Sequence, residues 1–353
     1  MIKLNTTVPN TLIFSSDMPN WEFKTDKASL NISVYDAIKS TKFFSTSLYA
    51  VNSIVTVYDM KQLVEQYMRD NELPYLKFKI TASDGSDSST VTLNIIYCSQ
   101  RITIGVTTLA KSFFLTSQKS KEVNLTSFSE DELAFFAEEG EDVSTQSTLI
   151  YSTPDGTMHK YYTSMTNVAE ETGIITKHFQ LTACWEAIGG PGGNTLHSFT
   201  FEVGERMFTY YFTDDVPHLH FVFRNAFNVP ELITLFGKTT TVIKTKKSEA
   251  VCGGRTTYYD RSNEKEYDFE SVRLSPEKMR WVEQLILSHD ITQYGNDRYR
   301  VLITAFTYEV ADDDKEDYII KFTWRNADED FMIEFPYSLN TRIFTQEYDQ
   351  TFT

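Results

Sequence analysis

HLHFVFRNAFNVPELITLFGKTTTVIK, residues 218–244, holds two apolar runs of strand length on either side of a polar turn. The first, HLHFVFRN, is short and rich in aromatic and β-branched side chains, which suit a pleated, half-buried surface, and it reads as a buried strand. The second, LFGKTTTVIKTKK, passes from apolar residues into Thr and Lys, the text of a strand that leaves a core and ends in water. Downstream, Ser275 and Pro276 form a helix start: an N-cap hydroxyl, then a residue with no amide to satisfy. Met279, Val282 and Ile286, widened by Trp281 and Leu285, give that helix one apolar stripe. Residues 300–310 and 318–324 then read as a hairpin across the acidic turn 312–317.

The same texture extends upstream. Between residues 11 and 97, TLIF, SLNISVYD, KFFSTSLYAV, LKFKITAS and STVTLNIIY alternate or run apolar for strand length. Asp84-Gly85 marks a tight hairpin turn between the last two. Asp59 is positioned to cap one helix carrying Leu63, Val64, Tyr67 and Met68. From 99 to 217 the expected strands are ITIGVTTLAKSFFL, TLIYST, HKYYTSM, GIITKHFQLTACW, HSFTFEVG and RMFTYYFT. A helical turn is expected from Ser129 towards Gly140, and residues 188–194 (IGGPGGN) read as a loop. The expectation is a mainly β protein with two or three β-sandwich-like domains and a few short helices. Its units are 1–98, 99–217 and 218–353, the last a β domain with one capped helix and a C-terminal arm.

Bulk composition agrees. The 353 residues exceed one ordinary β domain, and 41% hydrophobic residues suffice for real cores. Aromatic residues reach 14%, with 26 Phe and 20 Tyr, a bias towards sheet. A net charge of −16, from 49 acidic and 33 basic side chains, argues against direct nucleic-acid binding. The basic cluster Lys238, Lys244, Lys246, Lys247, Arg255 and Arg261 reads as a solvated strand edge. No stretch has the length and apolarity of a membrane span, and Met1 opens onto text unlike a secretion signal. Cys98, Cys184 and Cys252 are isolated and lack zinc-ligand spacing, so a reducing cytoplasm is expected during synthesis.

Candidate chemistry resolves into architecture. His218 and His220 lie on one side of a strand, as metal ligands can, but no third ligand is near in sequence. The acidic runs 312–317 and 84–87 could attract calcium, yet both sit where hairpin turns belong and neither has an EF-hand layout. Trp21, Trp185, Trp281 and Trp324 could stack on sugars, though Trp in a β protein is more often core. With 49 acidic residues, no pair is singled out as a glycosidase dyad. No nucleophile elbow or phosphate-binding loop is present; the glycine-rich run at 188–194 lacks the required Lys and strand-to-helix context. The expectation is therefore no enzyme, no catalytic residue, no cofactor and no metal site.

The run FRNAFNVPE at 223–231, the GKTTT that follows, the 275–290 helix, the ITAFTYEV and IIKFTWRN strands and the ending RIFTQEYDQTF together resemble tail and baseplate structural proteins of Bacteroidetes phages and prophages. Distal-tail proteins are the nearest functional kind. The likeness covers roughly residues 217–353 and is one of layout. It implies a virion protein, made in the host cytoplasm, that works by forming homo-oligomers and binding other tail or baseplate proteins. Arg224, Tyr258 and Tyr259 are the expected interface residues. Ile343, Phe344, Tyr348 and Phe352 are spread along a polar arm suited to strand addition on a neighbour, so removing residues 342–353 should leave a folded monomer. The alternative is a carbohydrate- or receptor-binding β-sandwich adhesion protein, with a host surface glycan as its partner.

Overall fold

The structure is a computed structural model that describes residues 1–8, 11–123, 130–180, 186, 193–213, 218–294, 299–310 and 318–327. It is mainly β, with short helices set among several sheets. The acidic run 312–317, Cys184, Trp185, most of the glycine-rich loop and the arm with Ile343, Phe344, Tyr348 and Phe352 lie outside the described residues.

The first unit contains β1 (Lys3–Leu4), β2 (Leu12–Phe14), β3 (Trp21–Lys24), β4 (Ser29–Asp36), β5 (Thr41–Tyr49), β6 (Ile54–Val57), α1 (Met60–Asp70), β7 (Tyr75–Ser83) and β8 (Ser88–Ile96). One sheet runs β1-β3-β6 and the other β2-β8-β7-β4-β5. The alternation read in the sequence is the inward face: Leu30, Ile32 and Val34 of β4 and Phe78, Ile80 and Ala82 of β7 meet Trp21, Phe23, Val55 and Val57 from the opposing sheet. Met60, Val64 and Met68 bring α1 against the same core at four-residue spacing. Asp59 does not cap it: the residue is left-handed at φ 58° and its side chain makes no capping bond. Its short polar side chain tolerates that conformation, and its carbonyl accepts from the Leu63 amide at 3.2 Å.

The second unit contains α2 (Val106–Ser112), β9 (Ser120–Val123), β10 (Glu130–Ala137), β11 (Thr145–Ser152), β12 (Met158–Met165), β13 (Gly173–Gln180), β14 (Thr195–Val203) and β15 (Arg206–Phe212). A five-stranded sheet, β12-β11-β14-β15-β9, packs against the pair β10-β13. Two expectations are corrected here. The text at 102–115 is not a strand: it holds α2, whose Val106, Leu109 and Ala110 sit at helical spacing and are buried together. The helical turn expected beyond Ser129 is β10, paired over eight positions with β13, because Leu133, Phe135 and Ala137 alternate into the core.

The third unit is one six-stranded sheet, β19-β16-β17-β18-β21-β20. Its strands are β16 (His218–Arg224), β17 (Pro230–Cys252), β18 (Arg255–Ser271), β19 (Ile291–Gln293), β20 (Val301–Val310) and β21 (Tyr318–Asn326). Helix α3 (Pro276–Leu287) covers one face, where Met279, Trp281, Val282 and Leu285 meet Phe221, Ile233, Phe269, Phe322 and Trp324. Ser275 Oγ accepts from the Lys278 amide at 3.4 Å, as the cap signal required. The other face of β16 and β17 presents Val222 and Leu232 to the second unit's core.

A further cluster belongs to no single unit. Leu12, Phe14, Tyr75 and Ile96 from the first, Val106, Leu109 and Phe136 from the second, and Phe227 and Val229 from the third pack together. The three units therefore share one hydrophobic junction.

Candidate assembly surfaces

The 223–231 run turns out to be the polar half of that junction. Asn225 Nδ2 donates to Leu115 O at 2.8 Å and to Glu231 Oε2 at 2.6 Å, while its Oδ1 accepts from the Phe227 amide at 2.9 Å. Asn228, fully buried and left-handed at φ 60°, donates to Met68 O and Leu73 O at 3.1 and 3.2 Å, closing the end of α1. The Ser99 amide donates to Ala226 O at 3.0 Å. Arg224, expected at an interface, is engaged within the chain: its guanidinium bonds Asn228 O at 3.0 Å, pairs with Glu72 of the first unit, and lies 3.9 Å from Asp290.

Beneath it lies a buried charged cluster with no signature in the sequence. Lys121 and Asp131 pair at 3.1 Å with both side chains almost fully covered, and Tyr210 Oη donates to the same carboxylate at 2.6 Å. Lys121 Nζ lies 5.7 Å from the ring centres of Phe208 and Trp281. Burial pushes the Tyr210 phenol well above its ordinary range, reinforced by the Asp131 charge. Burial also raises the Glu231 carboxyl, against the opposing pull of Lys121 and of the bonds from Thr116 and Asn225. Such a cluster is costly to desolvate and disruptive to break, which suits a fixed joint. Arg206, also buried, places Nη2 within 2.5 Å of Ala110 O, 2.8 Å of Phe136 O and 3.0 Å of Glu141 Oε1, tying α2 to the second unit.

The residues weighed for chemistry fall into structural roles. His220 Nδ1 is 2.9 Å from Thr234 Oγ1 and its ring stands 4.7 Å from that of His218. Burial, with the neighbouring His218, lowers its pKa to about 4. The Asp84 carboxylate takes the Asp87 and Ser86 amides at 2.7 and 2.8 Å, and those bonds hold its pKa near about 2. Trp21, Trp281 and Trp324 are core residues, which removes them as a sugar platform. A cleft of about 670 Å³ between the first two units carries Lys111, Glu138, Glu139, Glu141 and Glu205 on its walls. No group of three His, Cys, Asp or Glu among the described residues could hold a metal ion. Burial raises the Cys98 thiol to about 11, far from a reactive thiolate. No helix among the described residues is long and apolar enough to cross a membrane.

What projects from the body is the β17–β18 hairpin. Strand β16 pairs with β17 only from Pro230 to Phe236, and β21 pairs with β18 only from Tyr267 to Glu270. Beyond those limits β17 and β18 pair with each other alone among the described residues, from Val242–Glu266 to Cys252–Arg255. Eleven residues of strand make a two-stranded ribbon of about 37 Å. Gly253 and Gly254, both at positive φ, form its tip. At its base Gly237 is obligatory, since a Cβ there would lie 2.2 Å from Glu270 O and 2.8 Å from Ser271 Cα. Tyr258 and Tyr259 lie on the ribbon's outer half. A second open element is β12, the edge strand of the second unit, with Met158, Tyr161, Tyr162 and Met165 all exposed.

No protein-family model and no curated protein matches the chain. Among solved structures, one described as "Crystal structure of CBD12 from CALX1.2" is similar over 57% of this chain and 79% of that one, at 10% identity and a TM-score of 0.17, a likeness too slight to carry an argument.

Proposed function

We propose that the chain is a structural component of a bacteriophage tail or baseplate, distal-tail-like, that acts by oligomeric assembly in the virion and not by catalysis. The observation that carries the assembly reading is the ribbon. An isolated two-stranded hairpin is at best marginally stable in water, so one that reaches about 37 Å from its body gains most of its order from a partner. The open edge of β12, rich in Met and Tyr, offers a further contact of interface composition. The resemblance of residues 217–353 to tail and baseplate proteins supplies the virion context, and with it the expected partners: copies of the chain and neighbouring tail proteins. The adhesion alternative has lost three of the four tryptophans that would have stacked on a glycan.

Size-exclusion chromatography with light scattering tests the assembly reading, comparing the full chain with a variant whose ribbon is shortened to end at Thr241 and Tyr267 through an Asn-Gly turn. The expected result is a ring-sized oligomer of three or six copies for the full chain and a folded monomer for the variant. A strict monomer at high concentration, or a shortened variant with the parent's oligomeric state, overturns it. Electron microscopy of virions labelled through an antibody to the chain tests the tail position; label confined to the capsid overturns that part.

A further inference from the structure

We infer that the free edge of β12 pairs with β12 of a second copy, antiparallel about a twofold axis at Tyr161; this rests on the assembly reading and names one contact within it. Strand β12 is the outer strand of its sheet and, among the described residues, pairs with β11 alone. All eight of its side chains are exposed, on both faces of the sheet. The Thr153 amide donates to Thr157 O at 3.0 Å across the hairpin turn. Alternation from that pair turns the backbone groups of His159, Tyr161 and Thr163 towards β11, and those of Met158, Lys160, Tyr162 and Ser164 towards the free edge. Sheet edges are commonly blunted by a bulge, a proline or several charges. Against β11 the register of β12 is unbroken, the strand has no proline, and Lys160 is its only lysine, arginine or acidic residue.

The residues of β12 suit their own copy. Tyr161 stands opposite the core residue Leu149 yet is 39% exposed, so the inward face of the sheet runs out past its cover at this strand. A second copy brings the same uncovered tyrosine alongside, in the non-hydrogen-bonded position where side chains approach most closely. Pairing about Tyr161 also sets each Lys160 against Tyr162 of the partner subunit, an ammonium beside a tyrosine ring, twice over. Met158 then meets Ser164, and His159 meets Thr163, so no like charges face each other. Moving the axis by one residue to Lys160 would set ammonium against ammonium, which fixes the register. The paired edge is about 27 Å long and is spanned by about eight backbone hydrogen bonds. It falls at the small end of specific contacts, below about 1,200 Å². One such pair does not hold free chains together, whereas several acting at once within an oligomer do. Because the contact is twofold, the oligomer that uses it has an even number of copies.

The test uses the full chain. Tyr162→Pro removes an amide that faces the free edge and leaves the ladder to β11 intact, so its circular-dichroism spectrum should match the parent's. Sedimentation is expected to give an even number of copies for the parent and half the parent's mass for the variant. Tyr161→Lys sets two ammonium groups against each other on the axis and should halve the mass as well, with the backbone untouched. Tyr161→Cys, with Cys184 and Cys252 replaced by Ser, should form a disulfide between copies on mild oxidation, since the Cα atoms of a non-hydrogen-bonded pair stand about 4.5 Å apart. Lys160→Cys in the same background, whose copies lie diagonally, should remain a thiol. The inference is overturned by a parent with an odd number of copies or by variants that keep the parent's mass. It is equally overturned by a Tyr161→Cys chain that stays reduced, the result expected if the arm 342–353 of a neighbour fills the edge instead. Those results leave the assembly reading standing; a parent that never associates overturns both.

Discussion

Strand β17 begins in the most constrained part of the molecule and ends in the least constrained. At Pro230 and Glu231 it leaves a junction held by three units, by a buried Lys121–Asp131 pair and by asparagines that bond across unit boundaries. By Val242 it has only one neighbouring strand among the described residues. The junction gathers charge and buries it, while the ribbon pairs charge across its own two strands, as Lys244 does with Glu266 at 2.5 Å. Charges buried in a fixed pair make a joint stiff, because either partner alone is intolerable there. Charges paired across a solvent-facing hairpin contribute little to the folded monomer.

Four measurements sharpen or break this contrast. Lys121→Met leaves Asp131 buried without its cation and should cost about 3–5 kcal/mol in chemical denaturation; a cost below about 1 kcal/mol would mean the pair is not part of the joint. His220 has a folded pKa of about 4, below its ordinary 6.5. The unfolded chain therefore binds a proton first as pH falls, and stability present above about 6.5 is lost down to about 4. The parent should lose up to about 3 kcal/mol more than His220→Gln across that window, and parallel profiles would remove His220 from the account. Asn228→Ala deletes two cross-unit hydrogen bonds and puts a Cβ-bearing residue without a polar group in the left-handed region, a loss of about 2 kcal/mol. Because those bonds hold the first unit to the third, denaturation should then resolve into two transitions; a single unchanged transition would show that Asn228 does not couple them. Ile243→Thr, on the ribbon, should change monomer stability by less than about 0.5 kcal/mol. A loss above about 1 kcal/mol would show that the ribbon is packed within its own chain.

The contrast also explains what could be read in advance. Strands with one buried face announced themselves, as in β4 and β7, because alternation is written in the residues that make it. The Ser275-Pro276 start of α3 was equally plain. The text at 102–115 misled because Thr107 and Thr108 have strand character, and only docking of Val106, Leu109 and Ala110 into the shared junction selects a helix. Residues 130–137 misled in the other direction, since their acidic opening resembles a helix start while Asp131 is in fact the buried partner of Lys121. The joint itself was illegible: Lys121 sits in a stretch as polar as any surface loop, and its partners Asp131, Tyr210 and Glu231 are distant in sequence. The 223–231 run stood out as a pattern without a reason, and the reason is geometric. The basic run from Lys238 was legible as a solvated edge, but the length of the ribbon depends on where β16 and β21 stop pairing, which no local text records.

Gly237, Asn228 and the unbroken course of β17 together turn the joint into an aiming device. The strand runs 23 residues from Pro230 to Cys252, about 75 Å if fully extended. A tilt of about 3° at its root would move the tip by about 4 Å, close to the spacing between neighbouring strands. A binding surface carried at that distance keeps its register only if the root does not swing. The hydrogen bonds of one buried asparagine therefore set a tolerance felt at the far end of the molecule, where no side chain of the joint ever reaches.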